Sequence, residues 1–233
     1  MTKTMKRYNT AKNSLEEGKL YSLKEAVELV KSNATAKFDE TIEIHFRTAA
    51  DPRQAEQLIR GIIVLPHGTG KENRVLVFAS GEAATKAKEA GADYVGEDEF
   101  IDKIQEGWLE FETILAVREL MPKIGKLGRI LGRKGLMPNP KTGGVVQLNN
   151  IHSAVEESKK GRVEYKMDKT GIIHNILGKA SLSVDQLLEN IIALSQAILN
   201  ARPSGIKGNL FKSVFISSTM GPSIKLNTGD LSE

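Results

Sequence analysis

The sequence predicts two domains of different build: a split α+β domain with an antiparallel sheet, interrupted by an inserted α/β domain with a parallel sheet. Three observations carry this reading. The middle of the chain alternates short apolar runs with helix-forming segments of about ten residues, the pattern of strands joined by crossover helices. Strands on both flanks instead alternate apolar with polar residues, as in a sheet with one solvated face. Neither flank alone holds enough elements for a core, whereas the two joined do.

Taken in order, Ser22-Leu-Lys-Glu25 reads as a capping box opening a helix that carries Ala26, Val27, Leu29 and Val30. Ile42, Ile44 and Phe46 then face a core, while Thr41, Glu43, His45 and Arg47 face outward. The middle block gives strands at 74–79, 92–96 and 113–117, with helices at 82–90 and 98–107 between them. This is the outline of a small Rossmann-like, doubly wound domain. Beyond it, Val163, Tyr165 and Met167 alternate with Glu164, Lys166 and Asp168. A second capping box, Ser183-Val-Asp-Gln186, opens a helix whose apolar set (Leu187, Leu188, Ile191, Ile192, Leu194, Ile198, Leu199) has a 3.6-residue period and which ends before Pro203. A last strand runs from Phe211 to Ser217. The expected limits are 1–67 with 160–233 for the split domain and 68–159 for the insertion. Glycine-bearing crossings near Pro66 to Lys71 and Lys159 to Arg162 are expected to act as a hinge.

Composition narrows the functional classes. The chain has 233 residues, 40% hydrophobic and 27% charged, ordinary values for globular domains. It has no cysteine, which excludes disulfides and thiolate metal sites. Residues Met1 to Arg7 lead into no apolar run of the secretory kind. No eighteen apolar residues run together, and the densest short run, Ile62 to Leu65, stops at Pro66. A cytoplasmic protein without a membrane span is expected. The formal net charge is only +4, but its distribution is uneven: Glu72 to Glu119 holds twelve acidic and five basic residues, a local −7 that leaves +11 elsewhere. Leu120 to Val155 and Asn190 to Gly229 contain no carboxylate side chain at all. Such asymmetry points to a polyanionic partner.

Catalytic and cofactor motifs fail on inspection. His67-Gly-Thr-Gly-Lys71 invites a phosphate-loop reading, yet Leu65 and Glu72 stand where that loop needs glycine and a hydroxyl residue. The glycines of Gly128-Arg-Ile-Leu-Gly132-Arg-Lys-Gly135 fall at spacings of four and three, not those of a dinucleotide turn. The four histidines, at 45, 67, 152 and 174, show no metal-ligand spacing, and no serine has a nucleophile frame. The expectation is a non-enzyme without cofactor or metal.

The stretch MPKIGKLGRILGRKGLMPNPKTGG, Met121 to Gly144, differs in kind. It has six basic residues, six glycines and three prolines. Lys123, Lys126, Arg129, Arg133, Lys134 and Lys141 can neutralise phosphates, and glycine-rich backbone lets amides approach them. This stretch resembles the signature of the bacterial ribosomal protein L-one family of the large subunit. The resemblance extends to Thr35-Ala-Lys-Phe-Asp-Glu-Thr41, Asp51-Pro-Arg53, Arg60-Gly61, Val64-Leu-Pro-His-Gly-Thr-Gly70, Asp168-Lys-Thr-Gly-Ile-Ile-His174 and Ser218-Thr-Met-Gly-Pro222, and so covers Lys24 to Pro222. Two departures stand out: the family usually has threonine at the place of Gly144 and asparagine at the place of Met167. The first bears on a turn and the second on one polar contact of the RNA face.

The resemblance implies an α+β domain interrupted by an α/β domain, in a protein that is monomeric when free and joins the large ribosomal subunit. It implies direct binding to large-subunit ribosomal RNA, a mobile stalk beside the transfer-RNA exit site, and repression of the protein's own messenger RNA. It also implies that the split domain makes the main RNA contact, through Lys37, Phe38, Thr41 and Glu43 on one side and Thr219, Met220 and Gly221 on the other. Lys166, Asp168, Lys169 and His174 match further. The basic stretch then becomes a secondary contact with exit-site transfer RNA or other ribosomal RNA. Chemically, threonine hydroxyls and lysines suit riboses and phosphates, and Phe38 and Met220 can pack on a base, unless Phe38 is strand-end core. Two rivals remain on the residues alone: a nucleotide-dependent enzyme built on the α/β block, and a general RNA chaperone without a defined site.

Overall fold

In the computed structural model the described residues are 3–16, 18–140 and 143–231. The chain begins with α1 (Lys3–Asn13), α2 (Leu23–Asn33), β1 (Thr41–Thr48) and β2 (Arg60–Val64). It continues through β3 (Val75–Phe78), α3 (Glu82–Glu89), β4 (Tyr94–Gly96), α4 (Asp98–Gln105), β5 (Thr113–Val117), α5 (Met121–Ile124), α6 (Gly128–Lys134), β6 (Val145–Val146) and α7 (Ile151–Lys159). It closes with β7 (Arg162–Lys166), β8 (Ile172–Lys179), α8 (Val184–Asn200), β9 (Phe211–Ser218) and β10 (Ile224–Leu226). The chain separates into two compact units, 1–71 with 163–233, and 72–162.

The first unit is built on an antiparallel sheet of order β10-β9-β1-β8. Its central strand, β1, comes from the N-terminal flank and both its neighbours from the C-terminal one. Along β1 the burial alternates strictly: Ile42, Ile44 and Phe46 are fully buried, and Thr41, Glu43, His45 and Arg47 look away from the core. The buried face packs on α2 and α8. Leu187, Ile191, Leu194 and Ile198 of α8 are all inaccessible to solvent, each contributing about 1.5–3 kcal/mol of apolar burial. Both helix starts use a serine cap. Ser183 forms the full reciprocal box with Gln186, its hydroxyl accepting from the Gln186 amide at 3.2 Å and its own amide donating to Oε1 at 2.9 Å. At Ser22 only half the box is made: the Glu25 carboxylate turns instead to Lys19 Nζ, 3.2 Å away. Two elements of the expected single sheet lie apart from it, because β2 and β7 pair as a separate two-stranded sheet, tied by Arg60–Glu164 at 2.8 Å. The helix α1 and the strand β10 are additions to the elements read from sequence.

The second unit is a parallel sheet of order β4-β3-β5-β6. Successive residues of β3 feed two cores: Val75 and Val77 join Ala83, Ala87 and Val155, while Leu76 and Phe78 join Phe100, Ile104 and Leu131. Burial on both faces is what a parallel strand without polar alternation requires. From Met121 onward the chain departs from the open glycine-rich backbone expected of it, and the departure begins in the residues just before, at 118–120. Residues 118–134 form a continuous helical run of α and 3-10 turns that stops at Gly135, which takes the left-handed conformation (φ 72°). Ile124, Leu127 and Leu131, spaced by three and four, form its fully buried stripe, and their burial overrides the poor helix propensity of Gly125, Gly128 and Gly132. Among the described residues no helix is long and apolar enough to cross a membrane.

Candidate nucleic-acid interface

The loop 34–40 leads from α2 into β1, and the turn 219–221 leads from β9 into β10. Antiparallel pairing of β1 with β9 sets Ile42 opposite Ser218, so the loop and the turn meet at one end of the sheet. Two interlocked contacts hold them together. The Thr219 amide donates to the Thr41 carbonyl at 3.0 Å, and the Thr219 hydroxyl accepts from the Thr41 amide at 2.9 Å. That hydroxyl therefore serves the backbone, while the half-buried Thr41 Oγ1 is left to a side chain and accepts from Lys179 Nζ at 2.9 Å.

Beneath them lies Glu40, 2% exposed. Its carboxylate accepts from the Ala36 amide at 2.9 Å, from the Met220 amide at 3.0 Å and from the Ser218 hydroxyl at 2.8 Å. Burial works to raise the pKa of this carboxyl. The three hydrogen bonds, with the nearby charge of Arg7, outweigh it and hold Glu40 below the ordinary carboxylate value. One buried charge thus fixes both loops. Gly221 belongs to the same arrangement, since a Cβ there would sit 2.5 Å from Ser218 Oγ and push it off the carboxylate.

Above this support two large apolar side chains stand in solvent: Phe38 is 55% and Met220 41% exposed. Phe38 is not strand-end core. Lys37 is exposed beside it, and Lys179, which the sequence did not single out, reaches Thr41 and the Asp39 carbonyl (3.2 Å). Single exposed apolar residues are unremarkable, but two of them on hydrogen-bonded loops flanked by lysines make a platform on which a base can stack.

The unburied face of the sheet continues from there. Glu43 lies between Ile176 of β8 and Ser217 of β9, and His45 between His174 and Phe215. Asp168 is a turn-former: its carboxylate accepts from the Thr170 amide, the Thr170 hydroxyl and the Ile172 amide, each within 2.8 Å. Burial opposes these bonds and is outweighed, so Asp168 too lies below its ordinary pKa. Lys166 and Lys169 are exposed on either side of it. Met167 is not on this face at all. It is 3% exposed, inside the core, where the Thr48 hydroxyl meets its sulfur at 3.3 Å, so its departure from the family pattern removes no polar contact from the surface.

In the second unit Lys126, Arg129, Arg133 and Lys134 project from the helical run into solvent. Lys123 is engaged, 3.0 Å from Asp98 and 3.7 Å from Glu97, and Lys141 lies outside the described residues. Gly144 sits against Pro138, whose Cα would be 3.0 Å from an added Cβ, so the glycine in place of threonine goes with a tighter turn. The glycine loop at 67–70 has no strand-to-helix geometry. It packs on α8, with Asn190 accepting from the His67 amide at 3.1 Å and donating to the Gly68 carbonyl at 3.0 Å. Among the described residues no three potential metal ligands cluster.

Residues 30–222 match the model of the ribosomal protein L1p/L10e family. The large ribosomal subunit protein uL1 of Fervidobacterium nodosum is 53% identical over 234 residues, an alignment that spans 100% of this chain and 99% of that protein. A match of that length and identity leaves no other assignment: the chain belongs to the ribosomal protein L1p/L10e family.

Proposed function

We propose that this protein is a structural constituent of the large ribosomal subunit in the cytoplasm and that it binds large-subunit ribosomal RNA directly through the platform of Phe38, Thr41 and Met220. The observation that carries the binding site is the pair of solvent-standing apolar side chains held by a buried carboxylate. A surface meant only for solvent has no use for that support. Lys37 and Lys179 meet phosphates, Thr41 Oγ1 meets a ribose, and Phe38 and Met220 pack on an unstacked base. Glu43, Lys166, Lys169 and His174 extend the contact across the sheet. Thr219, Gly221 and Asp168 act on RNA through the loops they shape.

The finer parts of the reading rest on family resemblance. They are a mobile stalk that takes part in release of deacylated transfer RNA from the exit site, and repression of the protein's own messenger by a similar RNA site. The exposed cations Lys126, Arg129, Arg133 and Lys134 suit the transfer-RNA contact. Footprinting of the protein on total ribosomal RNA tests the main claim: one protected large-subunit segment is expected, and uniform protection, or equal affinity for specific and scrambled hairpins at physiological salt, would point to a chaperone instead. Phe38→Ala and Met220→Ala should each weaken specific binding by roughly 1–3 kcal/mol, the range for base stacking on one side chain. Because both side chains are exposed, thermal stability should move by less than about 0.5 kcal/mol. Unchanged affinity in both variants removes the platform.

A further inference from the structure

Beyond the platform, the unburied face of the sheet holds an open pocket of about 650 Å³ lined by His45, Arg47, His174, Lys212, Phe215 and Lys225, with no carboxylate among its lining residues. Three full cations surround it, all exposed, and among the described residues none of Arg47, Lys212 and Lys225 has an ion-pair partner. Such a cluster of unpaired like charges around a concavity attracts anions.

The floor of this pocket is unusual. His45 and His174 face each other across β1 and β8, with Nδ1 to Nδ1 at 2.9 Å and their rings edge-on, 5.0 Å between centroids. One of these nitrogens donates and the other accepts, so at least one imidazole is neutral while the bond exists. The remaining nitrogens have weaker partners: His45 Nε2 lies 3.4 Å from Ser217 Oγ and His174 Nε2 3.8 Å from Asp168 Oδ2. Glu43 on β1 and Asp168 on the turn before β8 favour protonation; Arg47 on β1, Lys212 on β9 and Lys225 on β10 oppose it. Partial burial and the neighbouring ring also hold His45 below its ordinary pKa, against the pull of Glu43. The other two histidines stand elsewhere, His67 against Glu189 and His152 against Glu156.

We propose that this pocket seats one phosphate of the bound RNA and that the His45–His174 pair couples its occupancy to the uptake of one proton. The step balances simply. A proton from solvent adds to the accepting Nδ1, the bond between the rings breaks, and the new N–H donates to a phosphate oxygen whose charge offsets the added positive charge. Lys212, Lys225 and Arg47 neutralise the rest. The proposal rests on the RNA-binding reading and adds to it a site and a pH dependence.

Calorimetric titration of the full-length protein with its ribosomal RNA fragment, in buffers of different ionisation heat near neutral pH, tests it. Wild type should take up a measurable fraction of a proton, and its affinity should rise up to about tenfold per pH unit on acidification, the limit for one linked proton. His174→Gln, on an exposed position, should lose that uptake and flatten the pH profile. Lys212→Ala with Lys225→Ala should weaken binding and lower the salt slope by roughly 0.7–0.9 for each phosphate no longer neutralised. Equal proton counts in wild type and His174→Gln overturn the coupling, and an unchanged salt slope in the lysine variant overturns the phosphate site. If wild type binds no ribosomal RNA at any pH, the RNA reading falls first and this one with it. In a separate arm, inorganic phosphate followed through the imidazole NMR signals should shift both rings; if it shifts them while RNA does not, the pocket serves free phosphate and the proposal is wrong.

Discussion

Glu40→Ala is expected to lower RNA affinity by at least about tenfold and to destabilise the first unit by about 3 kcal/mol, the sum of broken charge-assisted hydrogen bonds and newly unpaired buried donors. The Ala36 amide, the Met220 amide and the Ser218 hydroxyl all lose their acceptor at once. Both loops are then free to move, and Phe38 and Met220 no longer share a fixed geometry, although neither has been altered. Glu40→Gln separates charge from shape: it keeps one carbonyl acceptor but points an N–H₂ at groups that are themselves donors. The pH dependence has a defined sign. The folded-state pKa of Glu40 lies below its ordinary value, so its stabilisation is present above the ordinary carboxylate range and is lost as pH falls through the depressed folded value. Glu40→Gln should flatten that acid limb. Denaturation followed by circular dichroism, beside RNA binding, checks both effects. A destabilisation under about 1 kcal/mol together with wild-type affinity would mean that the loops hold themselves.

Asn190→Leu should be as damaging to the fold, by roughly 3–5 kcal/mol, although it keeps the number and branching of the side-chain heavy atoms. Asn190 is wholly buried on α8 and satisfies three backbone groups: it donates to the carbonyls of Leu177 (2.8 Å) and Gly68 (3.0 Å) and accepts from the His67 amide (3.1 Å). Leucine would leave all three unpaired, the Leu177 carbonyl in the buried core and the other two in part-buried positions, at about 1–3 kcal/mol for each group that water cannot reach. The chain has a single tryptophan, Trp108, packed among Tyr94, Phe100 and Phe111 of the second unit. Its fluorescence therefore reports that unit, and far-ultraviolet dichroism reports both. The expected result is a destabilised dichroism component with little change in the fluorescence transition. Equal shifts in both signals would show that the damage is not confined to the first unit.

How much of this was legible beforehand depends on how local each signal is. Strands such as Ile42 to Phe46 reveal themselves through alternation within five residues, and the capping box at Ser183 needs only four. The helical run at 118–134 was obscured by its glycines, although the spacing of Ile124, Leu127 and Leu131 already described a buried stripe. Residue alternation and family resemblance disagree about Met167, and the structure sides with alternation. The site was harder to read. Phe38 and Met220 became candidates through resemblance alone, because exposure has no sequence signature. Glu40 drew no reading of its own, since Met220, whose amide it holds, lies 180 residues away. Lys179 likewise meets Thr41 across 138 residues. No window of sequence contains both partners.

The central position of β1 also has a consequence during synthesis. Its neighbours on both sides are among the last segments to leave the ribosome that makes the chain, with β9 about the farthest. At typical elongation rates Thr41 emerges on the order of ten seconds or more before Thr219 can join it. Through that interval Ile42, Ile44 and Phe46 have no sheet to enter, and the alternating Glu43, His45 and Arg47 keep the waiting strand wettable. The second unit, whose strands are contiguous in sequence, can fold meanwhile. Asn73 bonds the Ser158 carbonyl at 3.2 Å, so a finished second unit returns the chain close to where it departed. A long flexible loop is thereby shortened to a tether before the late strands arrive, and the entropic cost of closing it falls. Order of birth, in this protein, favours the inserted part first and its host last.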